Sequence, residues 1–590
     1  MFQRNHYNGF GQQWDAGFTN FSFTGTGRPG DANFATAGGN SFASFLLGHA
    51  NNGQIHTVRF ISQQWPYFAG FAQDDFRLSK RLTLNLGIRW ETTLPPVESK
   101  DRWSDFSPTR TNPAADNLPG ALVFAGSCQG CEGTRTLADT NYKNFGPHIG
   151  LAYSLNEKTV IRSAYSRSYG AITTVTGSTH FLGHVQIFDA VNFTSGIEPA
   201  YRFRDGFPPY PVPPFINPSF ANGNNIPWWQ GKEATKPPVN DTWTLSIQRQ
   251  MPRNTLVEVA YNGLAGSALQ SQNLIYNQVP FSQFQRYGRD LLNRNINDPL
   301  VVAAGIRKPF TTFNASAAQA LRPFPQYQNI VTDSGGGDHS GHSSYHAMML
   351  RFDKRTSSGL TLQTSYVFSK ILTDSDSYWP GSASIDHFNR RLEKSIGQFD
   401  VTHNFKLSYV YELPFGKGKS MAMGGNKLAN FVLGGWRIGA IHLYSNGLPV
   451  SLGAATNFNI FNGGNRATIS TYEGWGGAPA STFDPQNDRF FQPASFFGPQ
   501  PNDRPGNSTK YNPKLRLFPS YTENFSFAKT FNVTEKVRLN FRWETFNLFN
   551  RVRFGTGPNG LTNPNFGRLT GNQDILNDPR RMQVALKLYW

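Results

Sequence analysis

LTLNLGIRWE, residues 82–91, alternates strictly: Leu82, Leu84, Leu86, Ile88 and Trp90 fall on one face, with Thr83, Asn85, Arg89 and Glu91 on the other. A period of two belongs to a β-strand, because a helix would scatter these apolar residues around its circumference. The pattern recurs. In LTLQTSYVFS (360–369), Leu360, Leu362, Thr364, Tyr366 and Phe368 oppose Thr361, Gln363, Ser365 and Ser369. NFKLSYVYEL (404–413) and VRLNFRWET (537–545) read the same way. Such strands come in pairs. Short connections near Ser79–Arg81, Asn156–Lys158, Met251–Asn254 and Asn532–Glu535 alternate with stretches near 92–143, 169–240, 264–344, 371–399 and 446–521. Loops of that length are uncommon inside compact soluble domains. Short turns at one rim and long loops at the other are how a transmembrane β-barrel is built. One connection, PFGKGKSMAMGGNKLANFV (414–432), stands where a short turn is expected.

Composition agrees with an all-β, antiparallel barrel. Only 16% of the 590 residues are charged, against about 25% in an average soluble domain. Aromatics reach 14%, with 50 Phe, 22 Tyr and 12 Trp, which excludes a disordered chain. Mean hydropathy is −0.45, and no run of about 18 apolar residues occurs, so no helix is expected to span a bilayer. In a barrel the apolar residues are instead diluted by alternation. The net charge of +17 is scattered without any basic run. It suits a surface facing anionic headgroups better than nucleic acid. The first residues, MFQRNHYNGFGQQWDAG, contain no apolar core of a secretion signal. The chain ends on RMQVALKLYW, with Leu586, Leu588 and Trp590 on one face of a last strand closed by an aromatic residue.

Several blocks resemble the barrel of Oar-like TonB-dependent outer-membrane receptors. They are FAGFAQDDFRLSKRLTLNLGIRWE, NFGPHIGLAYSLNEKTVIRSAYS (144–166), WTLSIQRQMPRNTLVEVAYNGLAGSAL (243–269), YHAMMLRFDKRTSSGLTLQTSYVFSK (345–370) and FDVTHNFKLSYVYELPFGKGK (399–419). The most distinctive pairs an FNLFN turn (546–550) with an NDPR approach (577–580) to the final strand. The unusual turn at 414–432 likewise resembles the family's ELPFGKGK segment. The resemblance implies a bacterial outer-membrane barrel whose lumen is closed by an N-terminal plug. Such a receptor binds a scarce external substrate, of oligosaccharide, peptide or metal-chelate class, and moves it inward with energy delivered by TonB. The implied partners are outer-membrane lipid and lipopolysaccharide, the TonB complex through the plug, and the barrel assembly machinery at the Leu586–Leu588–Trp590 ending. About thirteen strands are readable from residue 65 onward, and FTNFSFTG (18–25) adds one; a receptor of this type has 22. Residues 1–64 are therefore expected to hold an upstream barrel strand and long loop, and 65–590 the C-terminal strands. The signal peptide, TonB box, plug and first strands are expected outside these 590 residues.

Site chemistry is sparse. Cys128 and Cys131 form one CxxC, half of what a zinc site needs. On the oxidising outside of a cell a local disulfide is the favoured reading over free thiols or metal. His339, His342 and His346 in DHSGHSSYH offer three imidazoles for a transition metal, but their spacing straddles a loop and a strand start, so convergence is not required. No nucleophile–base set, phosphate loop or carboxylate pair stands out, so neither an enzyme nor a cofactor is expected. Two further readings remain at this stage. One is a plug-free passive pore; the other is a surface carbohydrate-binding β-protein using aromatics such as Trp228 and Trp229.

Overall fold

Period-two segments dominate the computed structural model, which describes residues 1–10, 17–28, 38–57, 60–171, 180–191, 198–229, 231–270, 274–332, 338–356, 359–375, 385–416, 419–421, 427–453, 464–501, 503–571 and 575–590. Fourteen strands follow one another across a single sheet in sequence order. They are β1 (Phe2–Phe10), β2 (Phe60–Arg77), β3 (Leu82–Thr93), β4 (Phe145–Asn156), β5 (Thr159–Tyr169), β6 (Val239–Met251) and β7 (Thr255–Leu269). The second half comprises β8 (Gly341–Arg355), β9 (Leu360–Thr373), β10 (His403–Glu412), β11 (Trp436–Ser445), β12 (Ser520–Asn532), β13 (Arg538–Phe546) and β14 (Arg581–Tyr589). Every neighbouring pair is antiparallel. Two short strands, Val97–Glu98 and Ser395–Ile396, join the sheet off this path. β1 and β14 are its edges among the described residues.

The expected strands from residue 65 onward are present, but the extra strand is not the one read at 18–25. Gly17–Asn20 pairs with Asn52–His56, which in turn pairs with Ile187–Val191, in a small separate sheet. The strand joining the large sheet is β1, whose polar FQRNHYNGF hides its alternation. Both segments alternate weakly; pairing decides between them.

Register carries the face pattern across the sheet. One row runs Ile161, Ile247, Val259, Leu350, Tyr366, Phe405, Tyr444 and Tyr521 on consecutive strands. These apolar side chains are not a core: Leu350 is 40% exposed, Ile247 48% and Leu586 65%. In a membrane barrel such a face meets lipid. Towards the long-loop rim it carries an aromatic belt in which tyrosines pair with histidines of the next strand. Tyr261 Oη and His346 Nδ1 lie 2.7 Å apart, as do Tyr366 Oη and His403 Nδ1. Each polar tip is thus satisfied sideways, within a belt of amphipathic rings.

The buried apolar residues lie mainly in the long connections. Phe106, Leu122, Phe124, Ile226, Phe324 and Tyr327 form one cluster drawn from the loops after β3, β5 and β7. A second, with Phe490, Phe491, Phe497 and Phe566, unites the loops after β11 and β13. The loops therefore fold into a head on one rim. Two ion pairs strap the loop after β9 to the loop after β11: Arg466 to Glu393 at 2.5 Å, and Arg516 to Asp400, whose side chain is 1% exposed.

Candidate functional site

The polar face forms a wall whose side chains satisfy one another laterally, as neighbours on one face of a sheet can. Arg89 Nε donates to Glu91 at 2.7 Å, Tyr67 Oη donates to Glu91 at 2.8 Å, and Arg89 Nη2 donates to Tyr67 Oη at 2.8 Å. Arg351 pairs with Asp353 at 2.7 Å. A recess of about 340 Å³ opens on this face over Gly439, between Gln363, Ser408, Asn524 and Glu544. A Cβ at Gly439 would come 2.6 Å from Ser526 Oγ, so glycine keeps the recess open. A wall of paired charges and hydroxyls suits water and passing polar solutes.

Above it, the head encloses a cavity of about 780 Å³, whose lining includes Asp105, Phe106, Arg110, Glu132, Trp229 and Lys232. A hairpin of Ser104–Asn112 with Leu118–Phe124 supplies one wall. Asp105 accepts a bond from Gly231 N at 3.0 Å, tying that wall to the segment around Trp229. Arg110 and Glu132, both in the lining, pair at 3.1 Å and stay partly exposed. Trp229 packs against Tyr276 with ring centroids 4.4 Å apart, and edge-on to Phe106 at 6.0 Å. The cavity thus combines an aromatic floor with both signs of charge, the composition of a site for a small polar ligand with an apolar side.

Burial tunes the titrating groups that hold the head. Burial itself would raise the Glu98 carboxyl, but hydrogen bonds win and hold it below its usual range. It accepts from Ser62 N, Lys100 N and Arg102 N, and pairs with the Arg102 guanidinium at 2.9 Å. His184 is pushed down to about 4, mainly by burial and further by nearby Arg102. His339 and His387 are lowered for the same first reason.

The structure disperses the residues singled out from sequence. His346 lies in β8 and pairs with Tyr261 in the aromatic belt. His342, four residues earlier on the same face, sits 3.7 Å from Asp374, about 13 Å further along the strand. His339 is half-buried before β8 begins. The three imidazoles do not meet, and no group of three metal-ligating side chains occurs among the described residues. Cys128 and Cys131 are joined in a disulfide, next to Glu132 of the head cavity. Trp229 is committed to the head cluster, while the side chain of Trp228 lies outside the described residues. Leu586, Leu588 and Trp590 line the exposed end of β14.

FNLFN and NDPR prove to be the two halves of a clamp. Asn547 and Asn550 adopt positive φ, 52° and 50°. Asn547 Nδ2 donates to the carbonyls of Arg551 and Asp578, at 2.8 and 3.2 Å. Arg580 N donates to Asn550 Oδ1 at 2.9 Å. Arg551 reaches Glu523 of β12 through two contacts of 3.1 Å, onto a carboxylate side chain 1% exposed. The loop between β13 and β14 is thereby pinned at its base. Sequence reading missed the head cavity, whose lining comes from two segments, Asp105–Asp139 and Trp229–Lys232, far apart in the chain with no local pattern to mark them.

A family model described as "Outer membrane beta barrel domain" matches residues 1–583. No curated protein matches the chain. Among solved structures, similarity extends to the ferripyoverdine receptor of the outer membrane of Pseudomonas aeruginosa, with 10% identity over 90% of this chain and 39% of that one, at a TM-score of 0.38. It also extends to the outer membrane transporter YddB from Escherichia coli, with 10% identity over 91% and 59% and a TM-score of 0.39. The siderophore receptor PiuA from Acinetobacter baumannii is similar at 9% identity over 90% and 45%, with a TM-score of 0.37. The chain spans less than two thirds of the length of each.

Proposed function

The chain belongs to the outer membrane beta barrel domain family and so to the bacterial outer membrane, and from that premise we propose that it is the barrel portion of a TonB-dependent receptor. In this reading the head captures a scarce external substrate, and the polar wall conducts it inward. The role is transport and not catalysis. The observation that carries the reading is the head cavity of about 780 Å³ standing on the loop rim of a polar-walled sheet, a trap above a conduit. The resemblance of the blocks between residues 71 and 590 to Oar-like receptors adds the energy source, TonB acting through a plug. Substrates of oligosaccharide, peptide or metal-chelate class suit a cavity with an aromatic floor and paired charges. Lipopolysaccharide against the loop-side rim and the barrel assembly machinery at β14 complete the partners.

The test is uptake by cells carrying the receptor at its own locus, supplied with labelled members of those three substrate classes. Saturable uptake that stops when TonB is deleted or the proton-motive force is collapsed is the expected result. Uptake that proceeds unchanged without energy would replace this reading with a passive pore. Binding at the surface with no uptake at all would leave only a carbohydrate- or peptide-binding role.

A further inference from the structure

Among the described residues, the connection between β10 and β11 is the one at the short-turn rim that carries a helix, Lys427–Leu433. Its apolar residues are left outside: Leu428 is 72% exposed, Phe431 53%, Val432 50% and Leu433 48%. Leu428, Phe431 and Val432 are spaced i, i+3, i+4 and so share one helix face. Yet the helix is firmly seated. Phe431 packs against Phe531 of β12 with ring centroids 5.2 Å apart, and Trp436 Nε1 of β11 donates to the Val432 carbonyl at 2.9 Å.

The seat is on the apolar side of the sheet. Trp436 pairs with Lys529, Lys529 with Phe541, and Phe541 with Leu586, so the four share one face. Lys529 is the exception in that row, a cation on the lipid side, and it is 2% exposed. Its Nζ donates to the carbonyl of Val432 at 2.9 Å and to that of Phe431, and lies 4.6 Å from the Phe531 ring centroid and 5.2 Å from that of Trp436. The last carbonyls of a helix lack intrahelical partners and carry its negative end, so they complement an ammonium. Aromatic faces add cation–π attraction. The helix therefore hides the charge of Lys529 and presents leucine, phenylalanine and valine in its place.

We propose that Lys427–Leu433 is a membrane-seated collar lying at the headgroup–acyl boundary of the periplasmic leaflet, with Leu428, Phe431 and Val432 in contact with phospholipid chains and Lys529 as its fastening. Its occupant is lipid because the helix packs on the apolar face of β11 to β14 through Phe431 and Trp436 and leaves its own apolar face exposed beside it, as an amphipathic helix in a membrane interface does. The proposal rests on the membrane barrel alone and is independent of TonB.

The native cysteines are bonded to each other, so Leu428→Cys introduces the one free thiol for an environment-sensitive fluorophore. In the folded receptor, reconstituted in phosphatidylethanolamine–phosphatidylglycerol vesicles, the label at 428 should emit to the blue. It should lose at least half its intensity when the acyl chains are brominated. A label at Thr534→Cys, in the short turn after β12, should stay water-like and respond to iodide instead. Adding Lys529→Met should lower the anisotropy of the label at 428 while heat-modifiable migration still reports a folded barrel. Should that double variant fail to fold, the vesicle comparison of 428 with 534 decides alone. Iodide quenching at 428 equal to that at 534, with no effect of bromine, would overturn the proposal. Unchanged anisotropy in a folded Lys529→Met variant would overturn the fastening role.

Discussion

Replacing Leu350 by Arg should remove a large part of the stability of the assembled barrel. Leu350 lies five residues before Arg355, where β8 reaches the short-turn rim. A strand rises about 3.3 Å per residue and tilts by about 40°, giving roughly 2.5 Å of depth per residue. Leu350 is then about 12 Å above the rim, close to the middle of an apolar band about 25 Å tall. Its register partners, Val259 and Tyr366, share its face and offer an arginine no carboxylate. A charge at that depth costs about 2–4 kcal/mol. Phe352→Arg, on the same face but about 5 Å nearer the rim, should cost about half as much. Gln363→Arg points the same group at the polar face, opposite Asp353 and Ser408, and should change stability by less than about 0.5 kcal/mol. Urea midpoints in phospholipid vesicles, read by heat-modifiable migration, measure all three. Equal losses from Leu350→Arg and Gln363→Arg would refute the assignment of faces, and a cost independent of depth would refute the membrane as the surrounding medium.

Other consequences are open to direct measurement. Lowering pH should loosen the head before the sheet: an unfolded imidazole protonates near 6.5 and His184 holds off to about 4, so its packing is fully stable above pH 6.5 and loses about 3 kcal/mol as pH falls to 4. Amide protection over residues 180–191, taken relative to the intrinsic exchange rate at each pH, should fall across that interval, and His184→Asn should flatten the fall. Glu393→Gln leaves the Arg466 guanidinium buried without its carboxylate and should destabilise the head by about 3–5 kcal/mol, seen as faster proteolysis of loop 446–519 with β-strand content unchanged. Epitope tags within 94–144 and 446–519 should bind antibody on intact cells, whereas a tag at 252–254 should bind only after the outer membrane is permeabilised.

Strands could be read from sequence because their signal is local: alternate residues share a face, and one face meets lipid. Leu82–Trp90 and Val537–Trp543 reveal themselves within nine residues. β1 did not, since its polar residues give the period little contrast. The head was hidden for a different reason. Phe106, Ile226 and Tyr327 contact one another from three separate connections, and nothing near any one of them announces the others. Histidine spacing misled in a similar way, because a strand start fell between His339 and His342 and drew the rings apart. The segment at 414–432 stands out in the sequence by its length alone, while the lysine that bonds its helix, Lys529, lies two strands further on.

Hairpin register is ordinarily written by tight turns, and at the loop rim this sheet has none. The Asn547–Asp578 and Asn550–Arg580 contacts act there as a substitute turn, closing the base of an excursion whose tip does not need to be short. Length and shape above residues 554–571 are then uncoupled from the strands below. Insertions or wholesale replacement in that tip should leave β13 and β14 in register, while a single-residue insertion between Asn547 and Arg551 should shift it. A clamp of this kind lets the outer surface of the protein diversify rapidly while the wall within the membrane stays fixed.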